Sequence, residues 1–428
     1  NCSGGSSGTC ARQTASRPTG EPSTITGERR GRHTLPSRGT WRDICPRQRS
    51  HLEAIFAFTE TRSGIDYQAA PTTFTSADMD PKYILRPTDP VLVTGSNGFI
   101  GTHVVEVLLE YGFERVRCFV RPSSRLDRLK SVIRKHSADG RVQIVAGDLL
   151  SPKDCSAAAE NVAAVYHLAA GFDKSFAGAF MNSVLSTRNL MDAFLERGNP
   201  VRFVNVSSFA VYSNLTLKRG APLDEDSPLE NAPQARYDAY GFGKLKQEEL
   251  VREYGGKRGL RYVILRPGTV FGPGKKDLTG RIGIDTFGFF IHVGGSNLLP
   301  LTYVSNCAEA IVLAGLVPGI DGEVFNVVDD DPLTSTQFLR AYKRKVGRFF
   351  SLRLPYFVAH ALCALWEEYS RRSQGQLPPA FNRRRCAAEW RGNRFSNRKL
   401  REKLGWKPRV GMAEAMNLFL SQFEQKAN

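Results

Sequence analysis

Residues 91–105 read VLVTGSNGFIGTHVV: an apolar run, three glycines at a spacing of three, then a second apolar run. Val91 to Thr94 suits a short buried strand. Ile100 to Tyr111 carries Ile100, Val104, Val105, Val107, Leu108 and Leu109 on a helical period. A strand that passes straight into a helix gives each glycine a task. Gly95 ends the strand in a tight turn that disfavours a Cβ, Gly98 lets the backbone approach a pyrophosphate, and Gly101 lets the helix pack against the strand. Phosphates then sit on the helix amino terminus, where unpaired N–H groups and the helix dipole stabilise negative charge.

The pattern continues as alternating strands and helices. Strands are expected at Val116 to Val120, Val142 to Ala146, Ala164 to His167, Phe203 to Val206 and Tyr262 to Leu265, with helices at Asn182 to Glu196 and Tyr240 to Tyr254. Such alternation implies an α/β fold, a doubly wound parallel sheet of Rossmann type covered on both faces. Ligands in these sheets bind at the carboxyl ends of the strands. The dinucleotide-binding domain is expected over 81–274, with 301–330 returning to it. A smaller, mostly C-terminal substrate domain is expected from 275–300 and 331–428.

Residues 1–80 read differently. The first 78 hold ten arginines and no lysine, are dense in Ser, Thr, Gly and Pro, and show periodicity only in LEAIFAF at Leu52 to Phe58. Such a segment buries too little apolar area to offset chain entropy. It is expected to be a disordered leader. The first methionine is Met79, and a start there would make the leader upstream sequence read through into the product.

Charge and cysteine usage narrow the class. The net charge of +17 suggests anionic partners, but no zinc-finger or RNP signature accompanies it, so nucleic acid is not expected as a partner. The eight cysteines are scattered without a C-x-x-C pair. No metal site or disulfide framework is expected, and the pattern fits a reducing, cytoplasmic setting. The longest apolar run, Tyr356 to Trp366, has eleven residues, against about 20 needed to cross a bilayer.

The glycine spacing is T-G-x-x-G-x-x-G rather than G-x-G-x-x-G, and VTGSNGFIG resembles the extended short-chain dehydrogenase/reductase family, also called the NAD-dependent epimerase/dehydratase family. GDLL (Gly147 to Leu150), YHLAA (Tyr166 to Ala170), VSSFAVY (Val206 to Tyr212), YGFGK (Tyr240 to Lys244), LRPGTVFGPG (Leu265 to Gly274), YVSNCAEAI (Tyr303 to Ile311) and LGWKPR (Leu404 to Arg409) agree with it. The resemblance covers residues 88 to 420 or so and implies a nicotinamide cofactor. It places Gly95, Asn97, Gly98, Phe99, Ile100 and Gly101 on the pyrophosphate side, Asp148 and Leu149 near the adenine, and Ala169 and Pro267 along the bound dinucleotide.

Hydride transfer at a secondary alcohol needs a base for the hydroxyl proton. Free tyrosine, with a pKa near 10, is a poor one at neutral pH. Lys244 lies one helical turn after Tyr240 on the same face, and its charge would favour the phenolate. The resemblance makes Tyr240 the acid/base, Lys244 its tuner and a ribose ligand, and Ser208 the group that holds the substrate oxygen. Tyr237 and Ser207 are nearby decoys; Tyr237 is followed four residues later by Gly241.

Two stretches depart from the family pattern. Ser208 is followed by Phe209 and Ala210 rather than Asp and Glu, which argues against 4,6-dehydration of nucleotide sugars. SVLST (Ser183 to Thr187) stands where N-x-x-G-T is usual, with Asn182 one place early. Asp173 and Lys174 read equally as substrate contacts or as a solvated loop.

At the end of the second strand, Arg121 replaces the acid that NAD enzymes use for the ribose hydroxyl. A cation suits a 2′-phosphate, so NADP is favoured over NAD, although an arginine can also stack on adenine and tolerate NAD.

The segment Leu354 to Arg372 is amphipathic. It is expected to be a core helix of the substrate domain; the alternative is an interfacial helix in peripheral membrane contact, in the style of family members similar to 3β-hydroxysteroid dehydrogenases, which handle apolar substrates. The expected function is an NAD(P)-dependent oxidoreductase of a small-molecule secondary alcohol or ketone, acting as a homodimer. A nucleotide-sugar epimerase and a non-catalytic dinucleotide-sensing module are the alternatives.

Overall fold

In a computed structural model, residues 83–171, 174–275, 278–286, 289–347, 349–374 and 376–423 are described. The leader with Met79, and Asp173, lie outside them. The chain first builds β1 (Val91–Thr94), α1 (Phe99–Glu110), β2 (Val116–Val120), α2 (Asp127–Lys135), β3 (Val142–Ala146), α3 (Pro152–Ala159), β4 (Ala164–His167), α4 (Ser186–Arg197), β5 (Arg202–Val206), α5 (Ala239–Arg258) and β6 (Tyr262–Pro267). It continues with β7 (Thr269–Phe271), β8 (Gly283–Thr286), β9 (Phe289–His292), β10 (Leu301–Tyr303), α6 (Val304–Leu316), β11 (Val324–Val327), α7 (Ser335–Val346), β12 (Ser351–Arg353), α8 (Tyr356–Arg372), α9 (Arg383–Trp390), α10 (Arg398–Leu404) and α11 (Met412–Ser421).

Seven parallel strands form one sheet in the order β3-β2-β1-β4-β5-β6-β11. The order reverses at β1, where Val91 pairs with Val116 on one side and Ala164 on the other. That reversal opens the crevice in which doubly wound sheets bind ligands. β1, β4 and β5 are buried along their whole length, as strands covered on both faces must be. One face packs Val104, Val105 and Leu108 of α1 with Ile311 and Val312 of α6. The other packs Phe119, Phe194, Phe203 and Val251.

The late sequence landmarks act as a clamp. Trp406, 1% exposed, donates from its ring N–H to Asn306 O at 3.1 Å. Asn306 donates from Nδ2 to Asp329 at 2.9 Å and to Val410 O at 2.8 Å, and accepts from the Val410 N–H at 3.0 Å. These bonds tie α6 to the chain beyond α10.

Outside the main sheet, β7 pairs parallel with β10, and β9 lies between antiparallel β8 and parallel β12. A separate apolar cluster of Phe271, Phe290, Leu301, Phe338 and Phe419 joins them to α7 and α11.

α8 corrects an expectation: it is not a core helix. Its covered residues are the small Ala359, Cys363 and Ser370, which let it lie close to α9. Its large apolar residues point the other way, with Phe357 73%, Leu365 68% and Tyr369 61% exposed. Among the described residues, no helix is long and apolar enough to cross a membrane.

Candidate active site

The glycine turn lies where β1 passes into α1. Gly95 has φ +68°, a conformation that L side chains rarely adopt, and a Cβ at Gly101 would lie 2.1 Å from Gly95 O. Helix and turn are therefore in backbone contact. Gly98, the residue before α1, offers no side-chain cap, and the first turn has no acid. Among the described residues no side chain caps this helix amino terminus, so its first N–H groups and positive dipole end face a cavity of about 600 Å³. This cradle fits the pyrophosphate of the cofactor that the sequence implies.

Of the residues expected to hold that cofactor, Gly95, Gly98, Phe99, Ile100, Gly101, Tyr240, Lys244 and Pro267 line this one cavity. The others lie around it. Asn97 donates to Arg125 O at 3.4 Å and so ties the glycine turn to the loop after β2. Arg121 is exposed directly beyond β2. Asp148, in the turn after β3, accepts from the Leu150 N–H at 3.0 Å, and Leu149 O accepts from Asn189 at 3.1 Å. The Ala169 N–H donates to Thr94 Oγ1 at 3.3 Å.

Ser208 follows β5 and caps a short turn, accepting from the Ala210 N–H at 3.2 Å. Asp238 caps α5 by accepting from the Gly241 N–H at 3.0 Å, which puts Tyr240 in the helix's first turn. Tyr240 and Ser208 are hydrogen-bonded. Burial raises the Tyr240 pKa, the bond to Ser208 opposes this, and Asp238 adds to it. Lys244, 2% exposed, donates from Nζ to Val206 O at 2.6 Å and to Gln247 Oε1 at 3.0 Å. Burial brings its pKa down to about 7, against the attraction of Glu248. Of the decoys, Ser207 is buried and lines the same cavity as Ser208 and Lys244, whereas Tyr237 lines neither chamber and is 39% exposed with its ring edge-on to Phe176.

A buried polar chain runs behind Lys244. Gln247 donates to Thr187 Oγ1 at 2.7 Å, Thr187 Oγ1 lies 2.8 Å from His167 Nε2, and His167 Nδ1 lies 2.8 Å from Thr94 Oγ1. Burial, followed by the charge of Lys244, holds His167 down at about 3, so it is a neutral imidazole. The displaced Asn182 has a structural counterpart: Phe180–Leu185 forms a π-turn ahead of α4. Such a turn takes in one extra residue, which restores the helical phase at Thr187.

Sequence reasoning missed two groups. Glu248 continues the Tyr240–Lys244 face by one more turn, and i, i+4 spacing would have flagged it. The other group lines a second chamber of about 270 Å³ on the far side of Ser208 and Tyr240, where Arg236, Arg281 and Arg385 meet from separate segments. Both chambers share Ser208, Tyr240, Gly268, Thr269 and Thr279. Lys174 is exposed and lines neither chamber.

A parallel doubly wound sheet, a glycine turn at the strand-order reversal and a Tyr-x-x-x-Lys helix beside it define a class of nicotinamide-dependent enzymes. The model of the NAD dependent epimerase/dehydratase family matches residues 91–327. The chain belongs to that family and is by kind an NAD-dependent oxidoreductase or epimerase.

It is 26% identical over 355 residues to 3beta-hydroxysteroid-dehydrogenase/decarboxylase isoform 2 of Arabidopsis thaliana, a match spanning 78% of this chain and 61% of that one. It is 26% identical over 345 residues to sterol-4-alpha-carboxylate 3-dehydrogenase, decarboxylating, of Mus musculus, covering 77% of this chain and 90% of that one. The fold is similar to that of UDP-glucuronic acid 4-epimerase from Bacillus cereus in complex with NAD, with a TM-score of 0.59 at 23% identity, over 79% of this chain and 100% of that one.

Proposed function

We infer that the chain transfers a hydride between a nicotinamide dinucleotide and a secondary alcohol or ketone, with Tyr240 moving the proton, Ser208 holding the substrate oxygen and Lys244 supplying the charge behind them. One observation carries this reading. Ser208 and Tyr240, hydrogen-bonded to each other, stand in the wall that both chambers share. A dinucleotide seated at the glycine turn and a substrate in the second chamber would meet at these two hydroxyls.

Bound in oxidised form, the dinucleotide supplies the hydride acceptor and a positively charged ring. The chain handles the proton. In the reductive direction the phenol of Tyr240, kept protonated by burial, donates to the carbonyl oxygen. In the oxidative direction it accepts the alcohol proton, and Ser208 keeps that oxygen within reach. Phe209 and Ala210 after Ser208 supply no acid pair, which supports dehydrogenation over dehydration. The relatives named for hydroxysteroids and sterol carboxylates support a ring-borne secondary alcohol as substrate. Arg121 beyond β2 supports a 2′-phosphate, hence NADP. Five buried cysteines that form no disulfide among the described residues support a reducing, cytoplasmic setting.

The test is a comparison of two tyrosines in one assay. Tyr240→Phe should lose at least the roughly 10²–10⁴-fold that general acid–base catalysis contributes while dinucleotide binding survives. Tyr237→Phe, altered at an exposed ring, should keep wild-type turnover. The reverse result would move the site away from Tyr240. Protein that retains its dinucleotide on purification and interconverts nucleotide sugars would favour an epimerase instead.

A further inference from the structure

Two cysteines meet where α8 and α9 pack against each other. The register of the two helices is set at the surface, where Arg383 Nε on α9 lies 3.0 Å from Glu367 Oε2 on α8. One turn back along α8 stands Cys363, and one turn on along α9 stands Cys386. Both are buried, in one apolar cluster with Val293, Ala359 and Trp390. Their thiols are hydrogen-bonded to each other. The pair also lines a cavity of about 330 Å³, whose wall includes the exposed Phe381. A small solute can therefore reach the sulfurs although the protein covers them.

The two thiols are unlike. The hydrogen bond from Cys386 and the charge of Arg385 hold Cys363 below the ordinary thiol value, against burial and Glu367. The same bond, with burial, pushes Cys386 up. Burial alone raises Cys118 to about 12, and it raises Cys155 and Cys307 as well. A sulfur with thiolate character beside a second thiol is the arrangement that converts an oxidised cysteine into a disulfide. The position matters for the fold, because α9 is a partition. Arg385 and Glu389 line both this cavity and the second chamber, and Trp390 donates from its ring N–H to Gly280 O at 2.8 Å.

We propose that Cys363 and Cys386 form a redox modification site, at which a hydroperoxide entering the cavity closes the pair into a disulfide that fixes α9, a wall of the second chamber, against α8. The Cys363 sulfur attacks the hydroperoxide, the O–O bond breaks, and the leaving oxygen departs as an alcohol, or as water from hydrogen peroxide. Cys363 is then a sulfenic acid. The Cys386 sulfur attacks it, the S–S bond forms, the S–O bond breaks, and the Cys386 proton leaves with the hydroxyl as water. Two thiols lose two electrons, and the peroxide gains them. Exchange with a thiol reductant reopens the pair. The inference does not rest on the oxidoreductase reading, since neither sulfur lines the chambers that share Ser208 and Tyr240.

The test uses the full chain, reduced, freed of reductant and exposed to hydrogen peroxide. Peptide mapping without reduction should find Cys363 joined to Cys386, and Cys118, Cys155 and Cys307 still as thiols. Backbone hydrogen exchange over Arg383–Trp390 should slow at least about tenfold on oxidation, as a cross-link raises the local opening free energy, and a thiol reductant should restore it. Cys386→Ser should stop at the sulfenic acid, which dimedone traps on Cys363. Cys363→Ser should leave Cys386 unlabelled. The mapping on wild-type protein needs no variant, so a substitution that disturbs folding does not decide the matter. Three results would overturn the proposal: both cysteines surviving peroxide as thiols, either one joined to a different cysteine instead, or a bond that forms without slowing exchange in α9.

Discussion

Glu248 receives Arg266 in a fork, Nε to Oε1 at 2.9 Å and Nη2 to Oε2 at 2.7 Å, one helical turn beyond Lys244. Both side chains are buried, and Arg252 adds a third bond at 2.8 Å. Arg266 also donates to Tyr212 Oη at 2.9 Å, and Tyr212 donates to Asn326 at 2.7 Å. Burial would raise the Glu248 pKa, but Arg266 and Arg252 bring it below the usual carboxylate range. The pair thus fixes an ionised carboxylate under the lysine of the site.

Glu248→Gln should be costly on two counts. It leaves Arg266 charged and buried without its partner, a loss of about 3–5 kcal/mol for a broken buried pair. It also removes the attraction that, among the described residues, opposes burial at Lys244, so the lysine's pKa should fall below about 7 and turnover at neutral pH should drop with it. Chemical denaturation checks the first effect and a pH–rate profile the second. Wild-type stability in this variant would show that the fork contributes little.

His167 sets a dependence on acid. Its imidazole is held at about 3 by burial, against 6.5 for a free histidine. The unfolded chain therefore binds a proton that the folded chain refuses. Stability from this group is complete above pH 6.5 and is lost as pH falls towards 3, at up to about 1.4 kcal/mol per pH unit. Asp329, raised to about 6 by burial, acts in the opposite sense between its free value and 6, so the wild-type curve mixes both. The difference between wild type and His167→Gln isolates the histidine: the variant should lose less stability between pH 6.5 and 4. Parallel curves would mean that His167 is not neutral in the folded chain.

The strands that form the site were largely legible. Val91–Thr94, Val116–Val120, Val142–Ala146 and Ala164–His167 fall where apolar runs between turn residues place them, because buried parallel strands admit little else. β11 at Val324–Val327 was not legible, being four residues between Gly322, Glu323 and an acidic run. The side on which α8 is covered was not legible either. A helical period marks an apolar stripe, but contact with α9 is made by Ala359 and Cys363, not by Phe357 and Leu365. The arginine chamber has no local signature, since residues 236, 281 and 385 meet only through the tertiary fold.

Gly101 offers a direct test of the glycine cradle. A methyl group there would stand 2.1 Å from Gly95 O and 2.9 Å from Ser96 Cα, both backbone atoms. Neither can rotate away, so Gly101→Ala must push α1 off the turn. Overpacking of this sort costs about 1–3 kcal/mol, and the helix N–H groups would no longer point at the phosphate position. The variant should fold with a lowered melting temperature and lose most dinucleotide affinity. Unchanged binding would place the pyrophosphate elsewhere.

Substitution at Arg121 tests the choice between the two dinucleotides. It is exposed directly beyond β2, where an acid would accept hydrogen bonds from both ribose hydroxyls and repel a 2′-phosphate. A guanidinium reverses both effects, since it cannot accept a hydrogen bond and pairs with phosphate in bidentate fashion. Wild-type protein should therefore bind NADP more tightly than NAD. Arg121→Asp should reverse the order, by loss of the phosphate contact and gain of the ribose one, with little effect on stability at so exposed a position. Dissociation constants for both dinucleotides, measured on both proteins at one ionic strength, give the answer, because a surface contact to phosphate weakens with salt. A wild-type preference for NAD that survives Arg121→Asp would show that Arg121 does not reach the ribose.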